Sequence, residues 1–374
     1  MNDLAIVVTA YNRDISLKTL LTSLNKVVYD KTDIHLIISI DNFGTPEVVF
    51  VANDFKWKYG DKEVIVHKEK LGLRNHFIWA GDQTSKYENV LFLEDDLFVS
   101  PFIFDFVGAY LKNFSDDNRI AGCSLYNPIL CEFTGCKFYQ IDDGFDNYFF
   151  QHPYWGNIWS RKKWFLFKEW FLNYKCRQEI LPSSVQKWNE TSFKKVFIQY
   201  LIETNRFIVY PRMSYVTNMG EAGLHSFDSY KQFQVVLANG HRILHLSSFD
   251  DSLSKYDAFF ELDSAILKKQ NKKLEMYDFD VDLQCSKTNF TKEYVLTRRK
   301  TTNDILSFAS KLRPIENNII FDISDGDIVL AKTNDVIISS SRMFKYGRIV
   351  EDVLVRNYCL SKKILLACFL PIKK

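Results

Sequence analysis

The sequence has no excess of charge of one sign, because 48 lysines and arginines face 46 aspartates and glutamates for a formal net charge of +2. No strong global field results, so the charge balance does not indicate nucleic acid as a partner. Internal repeats and low-complexity tracts are also absent. With 374 residues, 47% of them hydrophobic, the chain can still bury a large core in one big domain with an appendage, or in two domains.

Disulfide and zinc-site patterns are missing as well. The seven cysteines form an odd set without a CxxC pair, which favours a reduced, cytoplasmic setting. The N-terminal residues carry Asp3 and a polar stretch from Thr9 onwards, so they lack the basic and apolar regions of a signal peptide. No stretch approaches the roughly 18 uninterrupted apolar residues of a membrane span. We therefore expect a cytoplasmic protein that does not cross a bilayer.

Short β-branched runs alternate with helical patterns over the first hundred residues. The pattern predicts strands at residues 4–9, 35–40, 64–67 and 90–93, and helices at residues 16–28 and 73–85. Continuous apolar strands separated by helices are typical of a mostly parallel sheet covered on both faces, so the fold class is α/β. Ligands of such sheets bind beyond the carboxyl ends of the strands. Polar residues follow three of these ends, at residues 9–13, 41–42 and 94–96.

The most informative of these ends is the acidic run Glu94, Asp95 and Asp96, which follows an apparently buried strand and is closed by Pro101. A divalent cation would offset the mutual repulsion of the three carboxylates, and Mg²⁺ or Mn²⁺ typically binds one or two carboxylates together with substrate phosphates. Such a cation also neutralises a departing diphosphate. The alternative is that the three acids are ordinary solvated loop residues.

The segment LFLEDDLFVSP resembles the acidic metal-binding motif of the GT-A glycosyltransferases. It is most similar to the Glu-Asp-Asp form in N-acetylglucosaminyltransferase I and related bacterial family 2-like polysaccharide glycosyltransferases. Four other blocks resemble the same family in the same order: IVVTAYNR (6–13), IISIDNFG (37–44), LRNHFIWAGDQ (73–83) and YPRMSYVTNMGEAGLHS (210–226). The resemblance covers residues 4–230 and implies a GT-A, Rossmann-like sheet flanked by helices.

The resemblance also implies roles for individual residues at the metal. Asp96 would coordinate Mn²⁺ or Mg²⁺, while Glu94 and Asp95 would hold the sugar, the ribose or a metal-bound water. His225 would be a metal or phosphate ligand, since neutral imidazole suits that role. An ordinary loop histidine is the alternative for His225.

For the nucleotide, the resemblance implies that Thr9, Tyr11 and Arg13 line it and that Asp41 accepts a hydrogen bond from the base. His76 would touch the nucleotide or its phosphates. A satisfied core or surface position is the alternative for this histidine.

An inverting transfer needs a carboxylate that takes the proton of the acceptor hydroxyl. The family has this acid at the start of a helix upstream of the Pro-Ser block, and in QKWNETSFKK the early acid is Glu190. Glu190 is therefore the predicted base, although an acid at this point also suits helix capping. Asp142 and Asp143 are the reserve candidates.

The segment WGNIWSRKKW, residues 155–164, resembles the part of the family that faces the acceptor. Trp155 would pack against sugar C–H groups and Gly156 would let backbone come close. A plain core tryptophan is the alternative for Trp155.

Residues 1–240 are the predicted GT-A domain, and residues 241–374 are a smaller α+β extension. In the extension, Asp325-Gly326 predicts a hairpin turn between strands at residues 319–323 and 328–331. Residues 344–374 hold seven basic side chains, two acidic ones and many apolar ones. This tail predicts peripheral contact with the inner face of an anionic membrane. A helix packed on its own domain is the alternative.

Together these features predict an inverting, metal-dependent glycosyltransferase. It would move sugar from a nucleotide-sugar, a UDP-sugar first of all, to a saccharide or lipid-linked saccharide in bacterial surface polysaccharide synthesis. A nucleotidyl or phosphosugar transferase is a competing hypothesis, but no glycine-rich phosphate loop bearing Lys or Arg follows the first strand. A catalytically silent sugar-binding or assembly module with the same fold is the alternative from another class.

Overall fold

The computed structural model describes residues 3–29, 33–220 and 233–338. Strands and helices alternate in its first part, as the sequence predicts. These elements are β1 (Leu4–Ala10), α1 (Asp14–Leu24), β2 (His35–Ile40), α2 (Pro46–Asp54), β3 (Lys62–Val66), α3 (Gly72–Asp82), β4 (Asn89–Glu94) and β5 (Leu97–Val99). The four strands and two helices predicted in this part are thus confirmed, with bounds that differ by up to four residues.

The middle and last parts contain shorter strands and a few longer helices. The middle elements are α4 (Ile103–Phe114), β6 (Ile120–Ser124), β7 (Asn147–Phe150), β8 (Asn157–Ser160), α5 (Arg161–Leu172), α6 (Ser183–Gln186), α7 (Phe193–Thr204), β9 (Phe207–Pro211), β10 (Val216–Asn218) and β11 (Lys255–Tyr256). The last elements are α8 (Ser264–Gln270), β12 (Phe279–Asp282), β13 (Tyr294–Thr297), β14 (Leu306–Phe308), α9 (Asn317–Ile320) and β15 (Ile328–Lys332).

A nine-stranded sheet in the order β11-β7-β9-β6-β8-β4-β1-β2-β3 forms the centre of the molecule. Strands β3, β2, β1 and β4 are mutually parallel, and β8 runs antiparallel to both of its neighbours. The predicted α/β class with a mostly parallel sheet is confirmed. Thr9 lies opposite both Ser39 and Glu94 in the register, so the carboxyl ends of β1, β2 and β4 meet at one edge.

Burial explains why these segments become strands and helices. Every residue of β1 is buried, as expected of a strand covered on both faces. In α1 the buried leucines are Leu17, Leu20, Leu21 and Leu24, which is the one-sided spacing of a helix packed on a sheet.

Much of the aromatic content lies in the core, between α3, α5 and α7. Trp164 stacks on Phe193 with ring centroids 6.3 Å apart, and its indole Nε1 donates to Asp82 Oδ1 at 2.8 Å. Gly81 on α3 lies directly against this indole, because a Cβ added there would meet ring atoms of Trp164 at 2.1–2.3 Å. The absence of a side chain at Gly81 therefore sets the distance between α3 and α5.

A second, four-stranded sheet in the order β12-β13-β15-β14 follows the central one. The predicted C-terminal hairpin is wrong in its first strand. Residues 317–320 form the short helix α9, and β15 pairs with β13 and β14 instead. The Asn318 side chain explains this outcome, because its amide bonds the backbone of Lys311, Leu312 and Ile315 and holds the segment in a compact loop.

The predicted domain boundary is at residue 240. Beyond it the chain still contributes a strand to the central sheet, because β11 pairs with β7. The basic tail at residues 344–374 lies outside the described residues. Among the residues that are described, no helix combines the length and apolar character needed to cross a bilayer.

We expect Gly81→Ala to destabilise the protein by about 1–3 kcal/mol, the usual cost of overpacking a core. Helix propensity alone would favour alanine by about 1 kcal/mol, so a net loss would isolate the clash with Trp164. Urea unfolding followed by circular dichroism measures the change. Gly240→Ala is the matched control, since a Cβ at Gly240 meets nothing within 4 Å. Equal unfolding free energies for the two variants would contradict this packing.

Candidate functional site

The acidic run lies where β4 ends, and backbone bonds hold it on both sides. The Asp95 N–H donates to the Thr9 carbonyl at 3.1 Å, and the Asp96 carbonyl accepts from the Met219 N–H at 2.9 Å. The neighbouring strand β5 is antiparallel to β10. Glu94, Asp95 and Asp96 are thus fixed to the edge at which β1, β2 and β4 end.

Arg13 supplies the positive charge closest to these acids. Its Nη1 lies 2.8 Å from Asp96 Oδ2, and its Nη2 bonds Asp95 Oδ1. Burial alone would lower the pKa of Arg13, but Asp95 and Asp96 outweigh burial and raise it. The sequence predicts Arg13 as a nucleotide contact, whereas here its guanidinium is paired with the carboxylates.

One guanidinium does not neutralise three carboxylates. Burial, followed by Asp96, raises the pKa of Glu94 to about 8. Burial likewise raises the pKa of Asp95 to about 6, although Arg13 acts in the opposite direction. Burial therefore makes the charged forms of Glu94 and Asp95 unfavourable in free energy. A further positive charge nearby would reduce that penalty.

The donor atoms fit a divalent cation that is shared with phosphates. Asp96 Oδ1 is buried and has no hydrogen-bond partner among the described residues. Within those residues, no group of three or more His, Cys, Asp or Glu side chains is arranged to enclose a metal. Mg²⁺ does not need such a cage, because it usually takes one or two carboxylates and completes its shell with water and substrate phosphates. His225, the other predicted ligand, lies outside the described residues.

Asp41 follows β2 and caps a neighbouring helix. Its Oδ1 accepts from the backbone N–H groups of Asn42 at 2.8 Å and Leu71 at 2.7 Å, and its Oδ2 accepts from Gly72 at 2.9 Å. Helix α3 begins here without a capping side chain of its own. A carboxylate offers about four acceptor positions, so Asp41 retains one on Oδ2 for the predicted contact with a base.

His76 is buried on α3, behind the strand ends. Ser39 Oγ lies 2.7 Å from His76 Nε2 and 2.8 Å from His67 Nε2, so one hydroxyl joins the two rings. Burial lowers the pKa of His76 to about 4, which keeps this ring neutral at physiological pH. A contact between His76 and the nucleotide stays a prediction.

Tyr11 is half-buried beside Arg13, and Lys70 Nζ lies 6.0 Å from the centre of its ring. Its backbone N–H bonds Asp95 and lowers the pKa of that acid. Thr9, Tyr11 and Asp41, which are three of the predicted nucleotide contacts, thus lie together at one edge of the sheet. Their binding role stays a prediction.

A cavity of about 670 Å³ opens beside the acidic run, and Glu94 lies in its wall. Aromatic rings make up much of the lining, contributed by Phe77, Phe133, Tyr154, Trp155, Trp188, Phe193 and Phe233. Polar groups are interspersed among them: Asn157, Ser184, Asn189, Thr191 and Ser192. Trp155 is held edge-on by Tyr126, with ring centroids 4.9 Å apart. The predicted acceptor tryptophan therefore lines a cavity that also contains part of the acidic run.

Gly156 turns the backbone beside the cavity. Its φ of +68° lies in the left-handed region, and a Cβ would meet Val216 at 3.0 Å and Leu125 at 3.1 Å. This backbone conformation and the close packing account for the glycine. Its predicted contact with the acceptor stays a prediction.

An ionic group around Glu132 in the cavity wall was not predicted from the sequence. Lys194 Nζ lies 2.6 Å from Glu132 Oε1, and His152 Nε2 lies 3.4 Å from Oε2. Burial alone would raise the pKa of Glu132, but Lys194 and His152 hold it well below its usual range. The pairs span 62 residues and 20 residues of chain, so no local spacing marks them.

Glu190, the predicted base, lies on the far side of the segment that lines the cavity. Its side chain is 64% exposed and its Oε1 accepts from Lys195 Nζ at 2.9 Å and Gln178 Nε2 at 3.2 Å. The buried Lys195 ammonium also bonds the carbonyls of Gln186 and Trp188, which fixes this segment. Residues on both sides of Glu190 line the cavity, but Glu190 does not.

The reserve candidates have other partners. Asp143 pairs with Arg212 at 2.7 Å and accepts from Ser252 and Leu253. Asp142 is exposed and accepts from the Gly144 N–H at 3.1 Å. Both acids thus stabilise loops, and neither lines the cavity.

No family model and no curated protein sequence matches the chain. Among solved structures, it is similar to TarS of S. aureus. TarS 1–349 in complex with UDP-GlcNAc shares 16% identity at a TM-score of 0.41, over 61% of this chain and 61% of that one. TarS 1–349 in complex with UDP shares 15% identity at a TM-score of 0.38, over 57% and 59%. The chain thus spans about three fifths of TarS 1–349, and the assignment of function rests on the site itself.

The buried His76 predicts a loss of stability in acid. Its folded-state pKa of about 4 lies below the unfolded value of 6.5, so the unfolded chain binds the extra proton first. The contribution of His76 to the free energy of unfolding is therefore complete above pH 6.5. It is lost as the pH falls from 6.5 towards 4. We expect His76→Gln to reduce the loss of unfolding free energy between pH 7 and pH 4.5 by about 2 kcal/mol.

Urea unfolding at the two pH values measures this difference. His245→Gln is the control, because that side chain is exposed, and it should leave the acid loss unchanged. An identical acid loss in His76→Gln and wild-type protein would contradict the prediction.

Proposed function

We propose that the protein is an inverting, divalent-metal-dependent glycosyltransferase. It transfers a sugar from a nucleotide-sugar, a UDP-sugar first of all, to a saccharide or lipid-linked saccharide, in the synthesis of a bacterial surface polysaccharide. The observation that carries this proposal is the position of Glu94, which belongs both to the acidic run at the end of β4 and to the wall of the aromatic cavity. A donor at the sheet edge and an acceptor in the cavity would meet at this residue.

On the donor side, the nucleotide lies across the ends of β1 and β2, where Thr9, Tyr11 and Asp41 lie. Asp96, whose Oδ1 has no hydrogen-bond partner among the described residues, would hold a Mn²⁺ or Mg²⁺ ion, and His225 would be the second ligand. When bound, the metal neutralises the charge of the departing diphosphate. Glu94 and Asp95 bind the sugar or ribose hydroxyls, and His76 stays neutral behind them.

In the transfer step, the acceptor oxygen forms a bond with the anomeric carbon while the bond between that carbon and the diphosphate oxygen breaks. The electron pair leaves with the nucleoside diphosphate, and the acceptor proton goes to a carboxylate. Glu190 is the proposed proton acceptor. Its exposed side chain would have to leave Lys195 and Gln178 and turn into the cavity, which the residues on either side of it line.

The outward position of Glu190 also favours the second candidate function, a sugar-binding or assembly module without transfer activity. Such a module would bind nucleotide or sugar at the same site. It would produce no nucleoside diphosphate with any donor and acceptor supplied.

The donor site is tested by calorimetric titration of UDP with and without Mn²⁺. We expect binding that requires Mn²⁺ in wild-type protein and is weakened at least tenfold in Asp96→Ala, because one of few protein ligands is lost. Glu275→Ala, an exposed acid in the C-terminal unit, should bind like wild type. Equal affinity with and without metal, or in Asp96→Ala, would contradict the metal role. Absence of binding to any nucleoside diphosphate would refute the donor site.

The proton acceptor is tested by Glu190→Gln. Loss of a general base typically lowers the rate by about 10²–10⁴-fold, so we expect a fall of at least 100-fold in transfer or donor hydrolysis. UDP affinity should not change, since Glu190 does not touch the donor edge. Glu179→Gln is the matched control, because Glu179 is also exposed and paired with a cation, Arg177 at 2.8 Å. A rate within threefold of wild type would remove the base role from Glu190.

A further inference from the structure

The charges of the cavity wall are unevenly distributed. Among the described residues that line the cavity, Lys194 is the one cationic side chain, while Glu94 and Glu132 are both acids. A bound phosphate or carboxylate normally needs Arg or Lys that is not already paired. The availability of Lys194 therefore decides whether this cavity accepts an anion.

Lys194 is already engaged. Its Nζ lies 2.6 Å from Glu132 Oε1, 4.1 Å from the ring centre of Tyr154 and 5.3 Å from that of Trp188. The carboxylate and the two ring faces all compete for the same ammonium. Burial lowers the pKa of Lys194, so solvent does not stabilise its charge as it would at the surface. An incoming anion would have to displace Glu132 to reach it.

Glu132 is held from its other side as well. His152 is fully buried and its Nε2 lies 3.4 Å from Glu132 Oε2. Neither ring nitrogen of His152 meets the geometry of a hydrogen bond to a described residue, so its contact with Glu132 is a close polar contact and not a hydrogen bond. The Glu132 carboxylate thus stays in place in the wall and offers its remaining lone pairs to a neutral donor such as a hydroxyl.

The rest of the lining suits a sugar ring. Trp155, Trp188 and Phe233 offer apolar faces for the C–H groups of a pyranose. Asn157 and Asn189 add amides that both donate and accept. Apolar faces with a few placed polar groups are the usual composition of a small-molecule site.

We propose that this cavity is the binding site for an uncharged sugar of the acceptor. Glu132, held by Lys194 and His152, accepts a hydrogen bond from a sugar hydroxyl, and the site rejects sugars that carry phosphate or carboxylate. This inference rests on the proposed function, since it takes the cavity to be the acceptor side of that enzyme.

The test compares sugars that carry either a neutral or an anionic group at C6, without any donor. Methyl glucoside and methyl galactoside, the corresponding 6-phosphates and the corresponding uronates are titrated while tryptophan fluorescence is followed. We expect both neutral glycosides to bind at least tenfold more tightly than their anionic counterparts, because Lys194, the cation of the described lining, is already paired with Glu132. Trp155→Phe and Trp188→Phe should reduce the signal and so assign it to the cavity.

Glu132→Gln gives the sharper result. It removes the partner of Lys194 and leaves an unshared cation, so neutral glycosides should bind at least fivefold more weakly and the 6-phosphates more tightly than in wild type. Lys194→Met should weaken the 6-phosphates further. Glu88→Gln is the control, since Glu88 forms an exposed pair with Arg161 at 2.9 Å and lies outside the cavity. Thermal unfolding of each variant identifies loss of folding.

Three results would overturn the inference. They are anionic sugars that bind as tightly as neutral ones, a Glu132→Gln variant with unchanged preference, and no sugar binding at all in folded wild-type protein. The UDP and Mn²⁺ titration on the same samples tests the donor site separately. If UDP does not bind but neutral sugars are still preferred, the proposed enzyme function is refuted. The inferred selectivity of the cavity for neutral sugars then still holds.

Discussion

The concentration of negative charge at the end of β4 is the constraint on which the rest of the site depends. Three consecutive acids follow a strand that is buried on both faces, so none of them can be fully hydrated. Arg13 offsets part of the charge, while burial raises the pKa of both Glu94 and Asp95.

The same edge connects two regions that are distant in the chain. The acids lie beside β1 and β10 on one side, and Glu94 faces the cavity on the other. The first turn of α7 completes the cavity, with Lys194 pointing to Glu132 and Lys195 binding the carbonyls of the preceding segment. Two adjacent lysines thus have different roles. Lys194 pairs with the Glu132 carboxylate in the cavity wall, and Lys195 fixes the backbone of the loop that forms part of this wall.

Four of the nine strands of the central sheet, β1 to β4, could be predicted from the sequence, because they are short runs rich in apolar residues, most of them followed by polar residues. β2 was expected at residues 35–40 and occupies them. The partners of charged side chains could not be predicted in this way. Arg13 meets Asp95 across 82 residues and Lys194 meets Glu132 across 62, and no local pattern encodes such pairs.

The wrong prediction of the C-terminal hairpin has a physical cause. The turn signal at Asp325-Gly326 is a local property, but the pairing of β15 is decided by the strands available in three dimensions. Asp41 illustrates the same limit for the site. The contact of this acid with a base stays a prediction, but its hydrogen bonds to the N–H groups at the start of α3, 31 residues further on at Gly72, could not be predicted from local sequence.

The short strand β11 has a consequence for how the molecule can be divided. It covers the outer side of β7, where Phe149 and Gln151 donate to the carbonyls of Ser254 and Tyr256. All four residues of β7 are buried. A protein cut at residue 240 would expose this edge, and an uncovered apolar edge strand invites pairing with other chains. A fragment meant to retain the central sheet should therefore extend at least to the end of β11, beyond the domain boundary that the sequence predicts at residue 240.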